Sequence, residues 1–239
     1  MGDPDLPRDL PLCRIVDATM AAGMQAYVSW AVVQQHRGMA AYMASSVAGR
    51  WQEQPVVSPC HHQVGIAGLG TLGMGCAQAL ATIGYSVRGW SRSAKSSLPD
   101  GVQSFHGDDQ LDEFLAGCDT LVCLLPLTPQ TKGFLNAELF ARLPRGAHLI
   151  NVARGDHLVE ADLLAALQGG RLSAATLDAF SAEPLPADHP FWREPRILVT
   201  PHISTRTDAS VIARQTLANL ATLRCGDRPR HLVDLACGY

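Results

Sequence analysis

The sequence predicts an α/β protein built on a doubly wound parallel sheet. Short apolar segments of strand length alternate with helical segments from residue 63 to residue 200. The apolar composition of these segments indicates strands that are buried on both faces. The first of them runs directly into a glycine-rich turn and a helix. In such a sheet ligands bind at the carboxyl ends of the strands, so the loops that follow the strands are the candidate functional loops.

Each element follows from the spacing of apolar residues between turn signals. The predicted strands cover residues 64–67, 86–90, 102–105, 120–125, 147–151, 174–178 and 196–200. The predicted helices cover residues 20–44, 74–83, 109–116, 160–168 and 208–223. The helix over 20–44 precedes the first strand of the sheet, and its apolar residues predict either core packing or a contact with a second subunit.

The turn after the first strand has the pattern Gly-x-Gly-x-x-Gly, with glycines at Gly68, Gly70 and Gly73. In a dinucleotide-binding, or Rossmann, turn the first glycine permits the tight turn and the second lets backbone amides approach a pyrophosphate. The third lets the helix pack close to the strand, and the helix N-terminus attracts the phosphates. The alternative is a glycine-rich strand–helix turn that binds no ligand.

The residues that follow the second strand favour NADP(H) over NAD(H). An NAD site usually places Asp or Glu there to bind the ribose 2′-hydroxyl. This chain instead has Ser91, Arg92, Ser93 and Lys95, with no carboxylate before Asp100. A guanidinium, an ammonium and two hydroxyls suit a 2′-phosphate. The alternative is that both cations are ordinary solvated loop charges.

Composition excludes several classes of protein. The 239 residues are 47% hydrophobic and carry a formal net charge of -3 without basic clusters, which predicts a soluble globular protein with neither a nucleic-acid nor a membrane partner. The seven cysteines form no Cys-x-x-Cys pair and are expected to be reduced thiols of a cytoplasmic protein. His61 and His62 lie beside Cys60, but adjacent residues that enter a strand point to opposite faces, so no metal site is expected.

Three ionisable residues follow predicted strands on the same edge of the sheet, and together they suit ketone reduction by hydride transfer. Arg154 can bind a 2-oxo-carboxylate and polarise its carbonyl. His202 can deliver a proton to the carbonyl oxygen, and Glu183 can orient the imidazole and favour its charged form. Each residue alone has a structural alternative: a capped core histidine, a loop carboxylate before Pro184, or a cation at a helix start.

Five segments resemble the D-isomer-specific 2-hydroxyacid dehydrogenase family, and they come in the order of that family. They cover residues 68–73, 124–131, 151–155, 177–186 and 200–202. Within the family, three further segments resemble the glyoxylate/hydroxypyruvate reductase A branch, which uses NADPH. They are residues 90–92, 101–105 and 237–239.

The resemblance implies roles for individual residues. Arg154 binds and polarises the substrate, His202 donates the proton, Glu183 pairs with His202, and Asp178 lies near the nicotinamide carboxamide. The implied cofactor-binding residues are Gly68, Gly70, Thr71, Leu72, Gly73, Ser91, Arg92, Ser93, Lys95, Leu125, Pro126, Thr131, Val152, Ala153, Arg154, Asp178 and His202. No metal is implied.

The resemblance also implies a division of the chain. Residues 1–18 correspond to a remnant of a flavodoxin-like substrate domain with its linker, 19–203 to the dinucleotide-binding domain, and 204–239 to a C-terminal helix and tail that return to the substrate domain. Most of the first segment of the substrate domain is expected to be missing. A homodimer that forms through the helix near residues 20–44 is also expected.

These observations predict an oxidoreductase that reduces a small 2-oxoacid, glyoxylate or hydroxypyruvate, with NADPH. The main alternative is an NADP(H)-binding module or remnant without turnover. An unrelated Rossmann enzyme such as a methyltransferase is disfavoured by Arg92 and by the ordered motifs.

Overall fold

The computed structural model describes Pro7 and residues 9–233. Its centre is a sheet of seven parallel strands. They are β1 (Gln63–Ala67), β2 (Ser86–Ser91), β3 (Val102–His106), β4 (Thr120–Cys123), β5 (Ala147–Asn151), β6 (Leu172–Leu177) and β7 (Ile197–Val199). The order across the sheet is β3-β2-β1-β4-β5-β6-β7. The predicted doubly wound sheet is confirmed, and its order reverses between β1 and β4, where such sheets bind nucleotides.

Seven α-helices surround the sheet in the described part of the chain. They are α1 (Ala18–His36), α2 (Met39–Val47), α3 (Thr71–Ile83), α4 (Leu111–Ala116), α5 (Ala137–Arg142), α6 (Glu160–Gln168) and α7 (Ala209–Arg224). Three short 3₁₀ turns cover Pro59–His61, Gly155–His157 and Pro190–Arg193.

The strands bury side chains on both faces, which produces two apolar cores. On β4, Leu121 lies in the core that contains residues of α4, α5 and α6, while its neighbour Val122 lies in the core that contains residues of α1 and α3. On β5, Leu149 lies in the first of these cores and Ile150 in the second. This alternation holds helices against both faces and leaves the carboxyl edge of the sheet to the loops.

The single helix predicted over residues 20–44 is wrong in one respect, because the structure has two helices there. The helix is interrupted at Gly38, whose φ of 61° lies in the left-handed region that glycine adopts without a steric cost. The apolar spacing continues across the break and so conceals it. Helix α3 also begins earlier than predicted, at Thr71, and the six-residue α5 was missed because it is too short for a periodic pattern.

The two ends of the described chain meet on the surface. Cys13 and Leu232 form an isolated antiparallel bridge, and the Val233 amide donates to the Leu12 carbonyl at 2.8 Å. Helix α7 contains no buried residue. The outermost parts of the predicted end segments, residues 1–6, 8 and 234–239, lie outside the described residues, and the predicted domain boundaries stay predictions.

Candidate active site at the carboxyl edge of the sheet

The glycine turn has the close approaches that its sequence pattern demands. Gly68 has a φ of 110°, and a Cβ there would lie 2.7 Å from the Leu124 carbonyl carbon. A Cβ on Gly73 would lie 1.9 Å from the Gly68 carbonyl oxygen. At Gly70, which caps α3, a Cβ would meet nothing within 4 Å. Helix α3 therefore begins, at Thr71 and Leu72, in front of open space.

The end of β2 lies beside this turn, since the Gly68 amide donates to the Trp90 carbonyl at 2.9 Å. The buried Ser91 hydroxyl donates to the Ser93 carbonyl at 2.9 Å, so its proton is used within the loop. The side chains of Arg92 and Lys95 are exposed. Both cations lie at the surface of the loop after β2.

The loops after β4 and β5 are tied together by a buried histidine that the sequence analysis missed. His157 Nδ1 lies 3.1 Å from the Arg154 carbonyl and its Nε2 lies 3.4 Å from the Pro126 carbonyl. Burial lowers the pKa of His157, and the neutral imidazole, with one N–H, donates to one of the two carbonyls. The Thr131 hydroxyl also donates to the Pro126 carbonyl, at 2.7 Å. Leu125, Val152 and Ala153, which belong to the same two loops, are buried.

Arg154 follows β5 on a loop that packs against the loop after β6. A Cβ on Gly155 would lie 1.9 Å from the Phe180 carbonyl carbon, so the two backbones are in direct contact. The Asn151 side-chain amide donates to the Arg154 carbonyl at 3.0 Å. The guanidinium is exposed and donates to the Ala153 carbonyl at 2.6 Å. Its backbone is thus fixed while its side chain reaches the surface of the site.

Asp178, directly after β6, is fully buried and binds the turn that contains His202. Its Oδ1 accepts from the Thr200 hydroxyl at 2.6 Å and from the Ile203 amide at 2.8 Å. Its Oδ2 accepts from the Ser204 amide at 2.7 Å. A role near the nicotinamide stays a prediction for this residue, whereas its contacts with the turn are direct.

Glu183 and His202 are brought together as a hydrogen-bonded pair. His202 Nδ1 lies 2.9 Å from Glu183 Oε2 and 3.1 Å from Oε1, and the Phe180 amide donates to Oε1 at 2.9 Å. Burial raises the pKa of Glu183, but the hydrogen bonds from His202 and Phe180 and the charge of His202 outweigh it and lower the pKa overall. The carboxylate form is therefore favoured.

A cavity of about 580 Å³ opens beside this pair. The residues that line it include Phe180, Glu183, Leu185, Trp192, His202 and Arg206. Arg206 was missed by the sequence analysis, although its position four residues after His202 in the same loop was a usable signal. Arg154 does not line this cavity, but its loop contacts Phe180, which does.

Within residues 9–233 no three His, Cys, Asp or Glu side chains are arranged to hold a metal ion. No helix in the same range is long and apolar enough to cross a membrane.

The family model for the NAD-binding domain of D-isomer specific 2-hydroxyacid dehydrogenases matches residues 29–204. The chain belongs to this family. This confirms the predicted resemblance, including its branch, because the glyoxylate/hydroxypyruvate reductase A of Serratia proteamaculans is 46% identical over 234 residues. That alignment covers 98% of this chain and 74% of the Serratia protein.

Solved structures of the same dehydrogenase family superpose closely. A D-isomer specific 2-hydroxyacid dehydrogenase from Xanthobacter autotrophicus Py2, in complex with NADPH and MES, gives a TM-score of 0.91 at 41% identity and covers 99% of this chain and 97% of its own. The NADPH-dependent glyoxylate/hydroxypyruvate reductase of Sinorhizobium meliloti, in complex with NADP and sulfate, gives a TM-score of 0.92 at 38% identity. The match covers 99% of this chain and 75% of the Sinorhizobium chain.

Proposed function

We propose that this chain reduces a small 2-oxoacid, glyoxylate or hydroxypyruvate, to the 2-hydroxyacid at the expense of NADPH. The observation that supports this most is the His202–Glu183 pair, which lines a cavity at the carboxyl edge of a dinucleotide-binding sheet. Glu183 bonds Nδ1 of His202, which orients the ring and leaves Nε2 for the substrate. The pair is thus suited to give a proton to an oxygen.

The proposed reaction uses the protonated form of His202. As the carbonyl carbon of the substrate takes up hydride, Nε2–H transfers its proton to the carbonyl oxygen, and the C=O bond becomes a C–OH bond. Glu183 stabilises the imidazolium before transfer and keeps the ring oriented. Arg154 binds the substrate carboxylate and polarises the carbonyl, because a guanidinium offers two parallel donors.

NADPH, when bound, supplies the hydride. The turn between β1 and α3 suits its pyrophosphate, because Gly70 leaves the N-terminus of α3 open and Gly68 and Gly73 allow the backbone to turn closely. Arg92 and Lys95 are proposed to bind the 2′-phosphate. The Xanthobacter and Sinorhizobium relatives, which were solved with NADPH and NADP, support this choice of cofactor.

We further propose that the chain forms a homodimer through α1, α2 and the segment that follows them, in the cytoplasm. Val47 and Trp51 have 93% and 96% of their surface exposed, and Trp30 and Met43 are exposed on the same part of the chain. A contiguous exposed apolar patch is typical of a contact surface, and the proposal is that these four side chains form one.

A second candidate function is an NADP(H)-binding module without turnover. One observation favours it: the side chains of His202 and Glu183 are 43% and 37% exposed. A site that is open to solvent excludes water poorly, and that slows hydride and proton transfer. Saturable NADPH binding without oxidation by any 2-oxoacid would support this function.

The test of the first proposal is NADPH oxidation by the purified chain and by its His202→Asn variant. We expect the variant to lose about 10²- to 10⁴-fold in kcat, the usual effect of a general acid. The matched control is His189→Asn, because His189 also lies 3.2 Å from a glutamate, Glu160, but does not line the cavity. Equal rates for the His202→Asn variant and the wild type would overturn the proposal.

A further inference from the structure

We infer that Tyr27, on α1, is a positioning residue for the catalytic histidine, and that it acts through Thr200 and Asp178 on the turn that carries His202. This inference rests on the proposed function, because it assigns Tyr27 a part in the same reaction. No motif of the dehydrogenase resemblance includes Tyr27, which lies before the first segment of that resemblance.

The hydrogen bonds run in one direction. Tyr27 Oη and Thr200 Oγ1 lie 2.5 Å apart, and the Thr200 hydroxyl donates to Asp178 Oδ1 at 2.6 Å. A hydroxyl has a single proton, so Thr200 has none left for Tyr27. Tyr27 must therefore donate to Thr200, and Thr200 in turn donates to Asp178. A chain of donors strengthens each successive bond.

This series of hydrogen bonds ends at the backbone next to His202, the proposed proton donor. Asp178 accepts from the amides of Ile203 and Ser204, the two residues that follow His202. His202 itself has a φ of 53°, in the left-handed region that residues other than glycine rarely adopt. Bonds on its C-terminal side hold the turn in this conformation, and the conformation sets where the imidazole lies.

A second set of contacts places α1 against the same turn. The Thr205 hydroxyl donates to the Met20 carbonyl at 2.9 Å, and a Cβ on Gly23 would lie 3.3 Å from Thr205 Oγ1. Met20, Gly23 and Tyr27 are spaced at three and four residues, so they share one face of α1. This face supports residues 200–205.

The phenol is suited to be a permanent donor. Burial raises the pKa of Tyr27 to about 12. The hydroxyl therefore stays protonated across the pH range in which a histidine acid works.

The test compares hydrogen exchange at the Ile203 and Ser204 amides in four variants. Tyr27→Phe and Thr200→Val each remove one hydroxyl of the chain, whereas Thr200→Ser retains it. Tyr85→Phe is the matched control, because the Tyr85 hydroxyl is also part-buried and bonded, to His36 Nδ1 at 2.9 Å, but makes no contact with the turn.

We expect exchange at the two amides to accelerate about tenfold in Tyr27→Phe and in Thr200→Val, which is the size of effect expected for the loss of one hydrogen bond. Thr200→Ser and Tyr85→Phe should exchange like the wild type. In turnover, Tyr27→Phe should lower kcat without changing KM for NADPH. The double variant with Thr200→Val should be no slower than Thr200→Val alone, because both substitutions break the same chain.

Unchanged exchange at Ile203 and Ser204 in Tyr27→Phe would overturn the inference, as would an equal acceleration in Tyr85→Phe. Exchange does not need catalysis, so the two proposals can fail separately. A wild type without turnover contradicts the proposed function, while the exchange result still decides the role of Tyr27.

Discussion

Glu183 orients the His202 ring through the bond at Nδ1, within a turn that Asp178 holds. Glu183 accepts from Nδ1 and is itself held by the Phe180 amide, so the carboxylate has little freedom to turn. Its pKa is lowered, which favours the carboxylate at neutral pH. The charge of Glu183 and its hydrogen bonds contribute separately to the proposed proton transfer, and substitutions of Glu183 distinguish the two contributions.

Replacing Glu183 with Gln should therefore lower kcat by about 10²-fold, because the amide oxygen still accepts from Nδ1 but no longer stabilises the imidazolium. Replacement with Ala should lower kcat further, since the ring loses its orientation as well. Steady-state turnover of NADPH with hydroxypyruvate measures both. Glu160→Gln, which alters the His189 pair instead, is the control and should leave kcat unchanged.

The choice of cofactor is also decided at single residues. Arg92→Ala should weaken NADPH binding about 10- to 100-fold, the usual effect of a hydrogen bond to a charged group, and should leave NADH binding unchanged. Calorimetric titration with both dinucleotides gives the two dissociation constants. Arg50→Ala, which removes an exposed cation elsewhere, serves as the control. Retained preference for NADPH in the Arg92 variant would remove the basis for the assignment.

At the scale of elements, a histidine cluster joins the end of α1 to the amino edge of the sheet. The rings of His36 and His62 stack with their centroids 4.4 Å apart, and His148 Nε2 lies 3.1 Å from Thr176 Oγ1. Burial lowers the pKa of all three imidazoles, that of His148 to about 3. The charge of Arg37 lowers the pKa of His36 further, while Asp119 acts in the opposite direction on His36 and His62.

This cluster predicts a loss of stability in acid. A histidine whose pKa is lower in the folded state binds its proton more readily when unfolded, so its contribution is complete above the ordinary value of 6.5 and falls as the pH drops below it. For His148 the free energy of unfolding should fall steadily as the pH drops from 6.5 toward 3. Urea unfolding at several pH values measures it.

A His148→Leu variant should show a shallower fall of the free energy of unfolding below pH 6.5, because the group that titrates has been removed. His61→Gln, which changes an exposed histidine next to the cluster, should keep the wild-type slope. Identical slopes in the wild type and the His148 variant would contradict this explanation.

The strands could be predicted from the sequence because runs such as residues 120–123 are apolar enough to require burial on both faces. The glycine turn and the His202–Glu183 pair were also recognisable, since each lies where a strand ends. The break at Gly38 was hidden because the apolar spacing continues through it. The contact of Tyr27 with Thr200 joins residues 173 positions apart, and no local pattern records such a contact.

At the scale of the whole molecule, two exposed apolar surfaces compete as the site of a subunit contact. One includes Val47 and Trp51, and the other is the exposed face of α7 with Leu217. We expect Val47→Glu to convert a dimer to a monomer, because a charge at the centre of an apolar contact is costly to bury. Light scattering after size-exclusion chromatography gives the mass. Leu217→Glu should leave the dimer intact, and the reverse pattern would place the contact on α7.

The most direct test of the central claim is the rate of NADPH oxidation by the purified chain with glyoxylate and with hydroxypyruvate, measured beside the same reactions with NADH. The account predicts turnover with at least one of the two acids and a higher kcat/KM for NADPH than for NADH. Binding of NADPH without oxidation by either acid would contradict the proposed reductase and favour the binding module.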